Sequence, residues 1–133
     1  MDELTLDDLL EKYYADYEPT DLVHRDDPPL QPLTWRVEPP GSTRAKPLLR
    51  GERMLLLYAE RDAGSYDPPH VHPDHESLSY LLEGEVDVEI DGETYDATPG
   101  AAYYHGPGVV HSARARTDCA KLEIKHVPED RVD

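Results

Sequence analysis

Apolar residues near the start of the chain recur at helical spacing. Between residues 4 and 17 they form one stripe, made of Leu6, Leu9, Leu10, Tyr13 and Tyr17. Thr5 is a suitable N-cap residue, and Glu18-Pro19 is expected to end the helix. The pattern predicts an amphipathic helix whose stripe packs against the rest of the domain or against a second subunit.

From residue 47 onward, the pattern changes to short strands separated by turn residues. Residues 53–60 form a near-continuous apolar run, and residues 85–90 alternate between apolar and acidic side chains. Asp91-Gly92 predicts a tight hairpin that leads into a returning strand at 93–97. Further strands are predicted at 77–82, 101–104, 109–116 and 121–127. Many short strands with Gly and Pro turns predict an all-β sandwich or barrel.

The 133 residues fit one domain with three parts. Residues 1–25 are predicted to be an N-terminal helical extension. Residues 26–46 are rich in proline and are predicted to be an extended covering segment with one short strand at 33–37. Residues 47–133 would form the β barrel.

The charge of the chain is strongly negative, with 29 Asp and Glu against 13 Lys and Arg and a net charge of -16. This balance argues against nucleic acid and against anionic membranes as partners. Two interpretations stay open. The acidic surface is an adaptation to high salt, in which self-repulsion is screened, or it is a coat that maintains solubility.

Cellular location is predicted from what the sequence lacks. The single cysteine, Cys119, excludes an internal disulfide framework and a zinc ribbon. No signal peptide is visible, and no stretch approaches the roughly 20 apolar residues of a membrane span. We therefore expect a cytoplasmic protein.

Three histidines carry the candidate chemistry. His70 and His72 stand two residues apart, so on an extended strand both imidazoles point to the same face. His111 follows about forty residues later, after a Gly-rich turn. A third imidazole from a neighbouring strand and one carboxylate would complete a divalent metal site of nitrogen and oxygen ligands.

Residues 47–127 resemble the cupin superfamily of small jelly-roll barrels. The resemblance to the first cupin motif rests on Gly64, His70, His72, Glu76 and Gly84. The resemblance to the second rests on Gly100, Gly108 and His111, with Gly106 in place of the usual proline. It implies one divalent transition metal held inside the barrel by His70, His72, Glu76 and His111.

The position of Glu76 departs from the common first motif. The usual glutamate position corresponds to Ser77, and the observed spacing is similar to that of the pirin branch of cupins. Pirin-like proteins also have an acidic residue where this chain has Ala113. A shift of one residue turns a strand side chain to the other face, so Glu76 could bind the metal only through a bulge or an inward loop. His75 is a substitute ligand or a hydrogen-bond partner of one.

The resemblance leaves two functions open. The first is a metal-dependent enzyme that acts on a small hydroxy acid, keto acid, sugar acid or diol by oxygenation, isomerisation or lyase chemistry. The second is a non-catalytic protein that binds or senses a small molecule or a metal. Ligand type does not choose among Fe, Mn, Ni, Co and Zn.

No catalytic base is identified by the sequence. His126, Tyr104 and His105 are candidates. His126 alternates with Leu122 and Ile124 and is therefore predicted to face the cavity. We expect a cavity lined by Leu and Ala with few polar groups. A homodimer is also expected, because the helical stripe needs a covering surface. A weaker alternative gives the helix a role in binding other proteins.

Overall fold

The computed structural model describes residues 2–34 and 36–128 and consists mostly of β strands. In chain order, the elements are β1 (Asp2–Glu3), α1 (Leu6–Tyr14), β2 (Gln31–Leu33), β3 (Thr43–Arg50), β4 (Met54–Arg61), β5 (Tyr66–Val71), β6 (Glu76–Glu83), β7 (Val86–Ile90), β8 (Glu93–Ala97), β9 (Ala102–His105), β10 (His111–Ala115) and β11 (Cys119–His126). The all-β fold predicted from the strand pattern is confirmed.

The strands form two sheets that pack face to face as a jelly roll. One sheet has five strands in the order β1-β5-β10-β7-β8, and the other has six in the order β2-β3-β4-β11-β6-β9. Strand pairing is antiparallel except between β1 and β5. Hydrogen bonds between the described strands do not join the two sheets into a closed barrel.

Tight turns connect several strands where the sequence predicted them. Asp91 and Gly92 both have positive φ angles, of 50° and 85°, as a two-residue hairpin between β7 and β8 requires. Gly84 has a φ of 87°, and a β carbon there would lie 2.2 Å from the carbonyl oxygen of Asp118. Only glycine fits this turn without displacing the backbone.

The predicted helix is present but ends at Tyr14, three residues earlier than expected. Thr5 is its N-cap, and Thr5 and Asp8 form a reciprocal capping box with hydrogen bonds of 3.1 Å. Its apolar stripe packs against one end of the six-stranded sheet, on Ala45, Leu55, Leu57 and Ala59. The chain's own domain therefore covers the stripe, which removes the reason to expect a second subunit there.

The predicted strands agree with the observed ones to within two residues except at one place, and no bounds were predicted for β1, β3 or β5. The short strand expected at 33–37 is observed at Gln31–Leu33. The whole of β3 was missed, and it begins within the segment predicted to be a proline-rich cover. Pro47 lies inside β3, where the pairing with β4 shifts register, so the strand accommodates its proline at an irregularity. The three-part division of the chain stays a prediction.

The described residues form three apolar clusters, one of them around Leu48, Tyr58 and Ala120, and the other two border the space between the sheets. The helix and its contacts occupy one end, and the other end contains Leu81, Val86, Val88, Ala97, Ala113, Ala115 and Cys119. Between them lies a cavity lined largely by polar side chains. No helix within the described ranges has the length and apolar character that a membrane span requires.

Candidate metal centre

His70, His72 and His111 converge at this cavity. His70 on β5 and His111 at the start of β10 are direct cross-strand partners, and His72 follows immediately after β5. The backbone N–H of Gly108 donates to the carbonyl of His72 over 2.8 Å, which holds the two histidine segments together. Each histidine offers one nitrogen, and these nitrogens lie within 4.8 Å of one another. All three residues are buried.

Each of the three imidazoles uses its Nδ1 atom for a hydrogen bond away from the group. His70 Nδ1 lies 2.9 Å from the carbonyl oxygen of Pro68, and His111 Nδ1 lies 3.1 Å from that of Val109. A carbonyl only accepts, so both Nδ1 atoms carry the hydrogen and both Nε2 atoms keep a free lone pair. His72 Nδ1 contacts the hydroxyl of Ser77 at 3.2 Å. Metal-binding histidines in proteins are usually oriented in this way.

Burial keeps these imidazoles neutral. It lowers the pKa of His70 to about 3 and that of His111 to about 4, and it lowers the pKa of His72 still further. Neutral nitrogen donors are the form that binds a metal, so no proton has to leave at neutral pH. Three neutral, oriented imidazoles in a buried site fit a divalent transition metal.

Glu76 lies outside this group, contrary to the expectation from the cupin resemblance. Its carboxylate accepts a hydrogen bond from the Tyr104 hydroxyl at 3.0 Å and contacts His126 Nδ1 at 3.2 Å. Strand β6 alternates regularly at this point, with Ser77 facing inward and Glu76 facing outward. No bulge occurs at Glu76, so Ser77 takes the inward position that the common motif gives to glutamate.

Two further histidines lie beside the three. His75 is fully buried, stacks on His72 with ring centroids 4.5 Å apart, and directs Nδ1 to the carboxylate of Asp74 at 2.8 Å. His105 stacks on His111 at 3.8 Å and lines the cavity. Burial lowers the pKa of His105 to about 2. Of the three candidate catalytic residues, only His105 reaches the cavity.

Tyr104 faces outward on β9, and the outward position of His126 corrects the prediction for β11. Its Leu122, Ile124 and His126 face away from the cavity, and Ile124 is exposed. The inward face instead carries Lys121, Glu123 and Lys125, which line the cavity. The expectation of a cavity with few polar groups was therefore wrong, because the apolar side of this strand is its outer side.

The three charged residues of β11 form a hydrogen-bonded array. Glu123 lies between the two ammonium groups, 3.1 Å from Lys121 Nζ and 2.7 Å from Lys125 Nζ. Lys125 also donates to Ser77 at 3.0 Å, which connects the array to the hydroxyl beside His72. The two lysines hold the pKa of Glu123 well below its usual value, against the effect of burial.

A second buried array lies near His70. Asp67 accepts hydrogen bonds from Arg36 at 2.5 and 3.2 Å, and its carboxylate is 3.7 Å from Arg61 Nη2. Burial opposes ionisation of Asp67, but the neighbouring guanidinium groups lower its pKa to about 2. His70 Nδ1 is 3.6 Å from the same carboxylate. Neither array belongs to a recognisable motif, although charged residues two apart on a strand could have indicated a polar inner face.

Helix α1 forms part of the cavity wall. Leu9, Lys12 and Tyr13 line it, and burial raises the pKa of Tyr13 to about 12. The cavity has a volume of about 60 Å³. The helical stripe is thus both a packing surface and a boundary of the site, which the periodicity alone did not predict.

Comparison with known proteins identifies the fold family. Residues 57–125 match the family described as Cupin domain. The solved structure of KdgF from a Halomonas species is 20% identical, with a TM-score of 0.72 over 84% of this chain and 96% of that one. An RmlC-like cupin from Shewanella frigidimarina is 22% identical, with a TM-score of 0.71 over 85% and 96%. A predicted oxalate decarboxylase from Thermotoga maritima is 19% identical, with a TM-score of 0.72 over 80% and 99%.

No curated protein matches the chain. The structural similarities, all of low sequence identity, concern the fold. The family match spans more than half of the residues and includes all three converging histidines. This chain belongs to the cupin domain family.

Proposed function

We propose that this protein is a metal-dependent enzyme that acts on a small oxygenated metabolite. His70, His72 and His111 would hold one divalent transition metal, of which Fe, Mn, Ni, Co and Zn are candidates. The observation that carries the proposal is the orientation of the imidazoles, since each Nδ1 is engaged elsewhere and the three rings converge. Glu76 has no role in the proposed metal site, because its carboxylate is engaged on the outer face.

A bound metal of this kind supplies a Lewis acid with open coordination positions. The protein's own residues would bind and orient the substrate and move its protons. His105 is our candidate for orienting the substrate through a hydrogen bond, because its Nδ1 atom is buried without a hydrogen-bond partner among the described residues. The substrate would lie between the two sheets, enclosed by α1.

The reaction class stays open among oxygenation, isomerisation and lyase chemistry. One structural relative is named as a predicted oxalate decarboxylase, which would be lyase chemistry on a carboxylate. That name supports a small organic acid as the substrate only by analogy of fold.

Elemental analysis of the purified protein tests the metal site. We expect a stoichiometric divalent metal in the wild type and its loss in the His72→Ala and His111→Ala variants. Glu76→Gln is the matched control and should retain the metal, since its carboxylate faces outward. A folded His72→Ala protein with undiminished metal content would overturn the proposed site.

Turnover separates the enzyme from a binding protein. Metal-loaded protein should be mixed with a panel of hydroxy and keto acids while oxygen uptake and ultraviolet absorbance are followed. Loss of turnover in a His105→Gln variant that retains the metal would support the enzyme and the role of His105 in orienting the substrate. Tight retention of one ligand without turnover would favour the non-catalytic alternative.

We further propose that the protein is cytoplasmic and adapted to high salt.

We also propose that it forms a homodimer. Because α1 is covered by its own domain, the dimer surface would be the outer face of β6, β9 and β11. There Leu78, Tyr80, Tyr104 and Ile124 are exposed on neighbouring strands. Size-exclusion chromatography with light scattering measures the oligomeric state, and a monomer at all concentrations would exclude the dimer.

A further inference from the structure

We propose that the ligand of this cavity is a small dianion with two carboxylates on a short skeleton, bound by Arg61 and Lys121. The inference rests on the proposed function, because it names the class of ligand for the same cavity. Of the substrate classes considered above, the proposal favours organic acids with two carboxylates and disfavours neutral diols.

The buried charges of the cavity do not balance. Two cations, Arg36 and Arg61, share the single carboxylate of Asp67, and their side chains are 8% and 9% exposed. Two more cations, Lys121 and Lys125, share the single carboxylate of Glu123. Among the residues that the structure describes, each array thus contains one more cation than carboxylate. Buried charge without a counterion is costly, so each array favours an added negative group.

Arg61 is the clearest unsatisfied group. Its closest approach to Asp67 is 3.7 Å, which is beyond hydrogen-bonding distance. Its Nε and Nη1 atoms are buried and have no hydrogen-bond partner among the residues that the structure describes. The hydroxyl of Thr43, its cross-strand neighbour at the cavity wall, also lacks a partner there. A carboxylate in the cavity would satisfy these donors.

Lys121 makes the longer polar contacts of the two lysines in the second array, and its ammonium group also lies 5.8 Å from the centre of the Tyr103 ring. Its ammonium group is 3.1 Å from Glu123 and 3.5 Å from the hydroxyl of Ser79, whereas Lys125 makes contacts of 2.7 and 3.0 Å. In the pairing of β4 with β11, Lys121 lies opposite Ala59, two residues before Arg61. Arg61 and Lys121 are therefore diagonal neighbours on the same wall, about 7 to 8 Å apart at the backbone.

The two excess charges thus lie on one wall but at separate points. A ligand with two separated negative groups matches this arrangement better than one compact anion. The cavity volume of about 60 Å³ limits the skeleton.

Calorimetric titration with malonate tests the proposal, with monomethyl malonate as the matched monoanion and dimethyl malonate as the neutral analogue. We expect malonate to bind the wild type at least about tenfold more tightly than the monoester, since a second charged hydrogen bond is gained. The preference should be present in metal-loaded and in metal-stripped protein, which separates it from chelation of the metal.

Amino-acid substitutions test whether Arg61 and Lys121 cause the preference for malonate over its monoester. Arg61→Gln and Lys121→Gln should each reduce the ratio between malonate and monoester to near unity, while Arg61→Lys should retain part of it. Arg44→Gln is the control, because Arg44 pairs with Asp62 at the surface. If Arg61→Gln does not fold, Lys121→Gln and Arg61→Lys still decide the question.

Three results would overturn the proposal. They are equal binding of malonate and its monoester, a preference unchanged in both glutamine variants, and tighter binding of inorganic phosphate than of malonate. Metal content is measured in the same samples. A malonate preference without any metal would refute the proposed metal site alone, and a stoichiometric metal without the preference would refute the dianion alone.

Discussion

The cavity and the rest of the molecule carry opposite charge. Among the residues that the structure describes, five basic and two acidic side chains line the cavity: Lys12, Arg36, Arg61, Lys121 and Lys125 against Asp67 and Glu123. A chain with a net charge of -16 therefore encloses a site suited to anions. The net charge of a chain therefore indicates the character of its solvated surface and of its macromolecular partners. It does not indicate the charge of a ligand that binds in an enclosed cavity.

A substitution at Asp67 gives the sharpest test of the difference in stability between buried and exposed ion pairs. We expect Asp67→Asn to lower the free energy of unfolding by about 3 to 5 kcal/mol, because it removes the buried carboxylate that Arg36 and Arg61 share. Chemical denaturation measures this. Asp62→Asn removes the partner of Arg44 at the surface and should cost little. Equal costs for the two variants would show that the cavity is more hydrated than its geometry indicates.

Apolar residues allow the same comparison. Leu9 is buried where α1 closes the cavity, and Leu9→Ala should lower the free energy of unfolding by about 2 to 4 kcal/mol. Leu78 is 52% exposed on the outer sheet face, and Leu78→Ala should change it by less than about 0.5 kcal/mol. A large cost at Leu78 that depends on protein concentration would instead reveal a covered dimer surface.

Added salt should produce the smallest effect and act on the exterior alone. Raising KCl from 0.1 M to 1 M shortens the Debye length from about 10 Å to about 3 Å, so repulsion among surface carboxylates weakens and the melting temperature rises. The loss of unfolding free energy caused by Asp67→Asn should hardly change with added KCl, because salt screens buried ion pairs much less than exposed ones. A melting temperature that is flat across this range would contradict adaptation to high salt.

The histidine site could be predicted because its information is local. Residues that stand two apart on a strand share a face. His70 and His72 therefore point to the same side once this segment is extended. The same parity explains Glu76, which could have turned inward only through a bulge that β6 does not have at that point. The regular alternation of this strand turns the Glu76 carboxylate away from the three imidazoles.

The charged wall could not be predicted in the same way. The assignment of the inner face of β11 assumed that apolar residues lie inside, which gave Leu122 and Ile124 the place that Lys121 and Glu123 occupy. That rule fails where the interior is a polar site. Arg36 and Asp67 meet only through the pairing of distant segments, and no spacing in the sequence encodes their contact.

The pairing of β1 with β5 has a practical consequence for producing the protein. The backbone at Asp2 is the register partner of the backbone at His70, and the N–H of Leu4 donates to the carbonyl of Val71 over 3.0 Å. An affinity tag or fusion partner joined directly before β1 would therefore disturb the pairing of β1 with β5, the strand that carries His70. Metal content and ligand affinity should be measured only after such an addition has been cleaved.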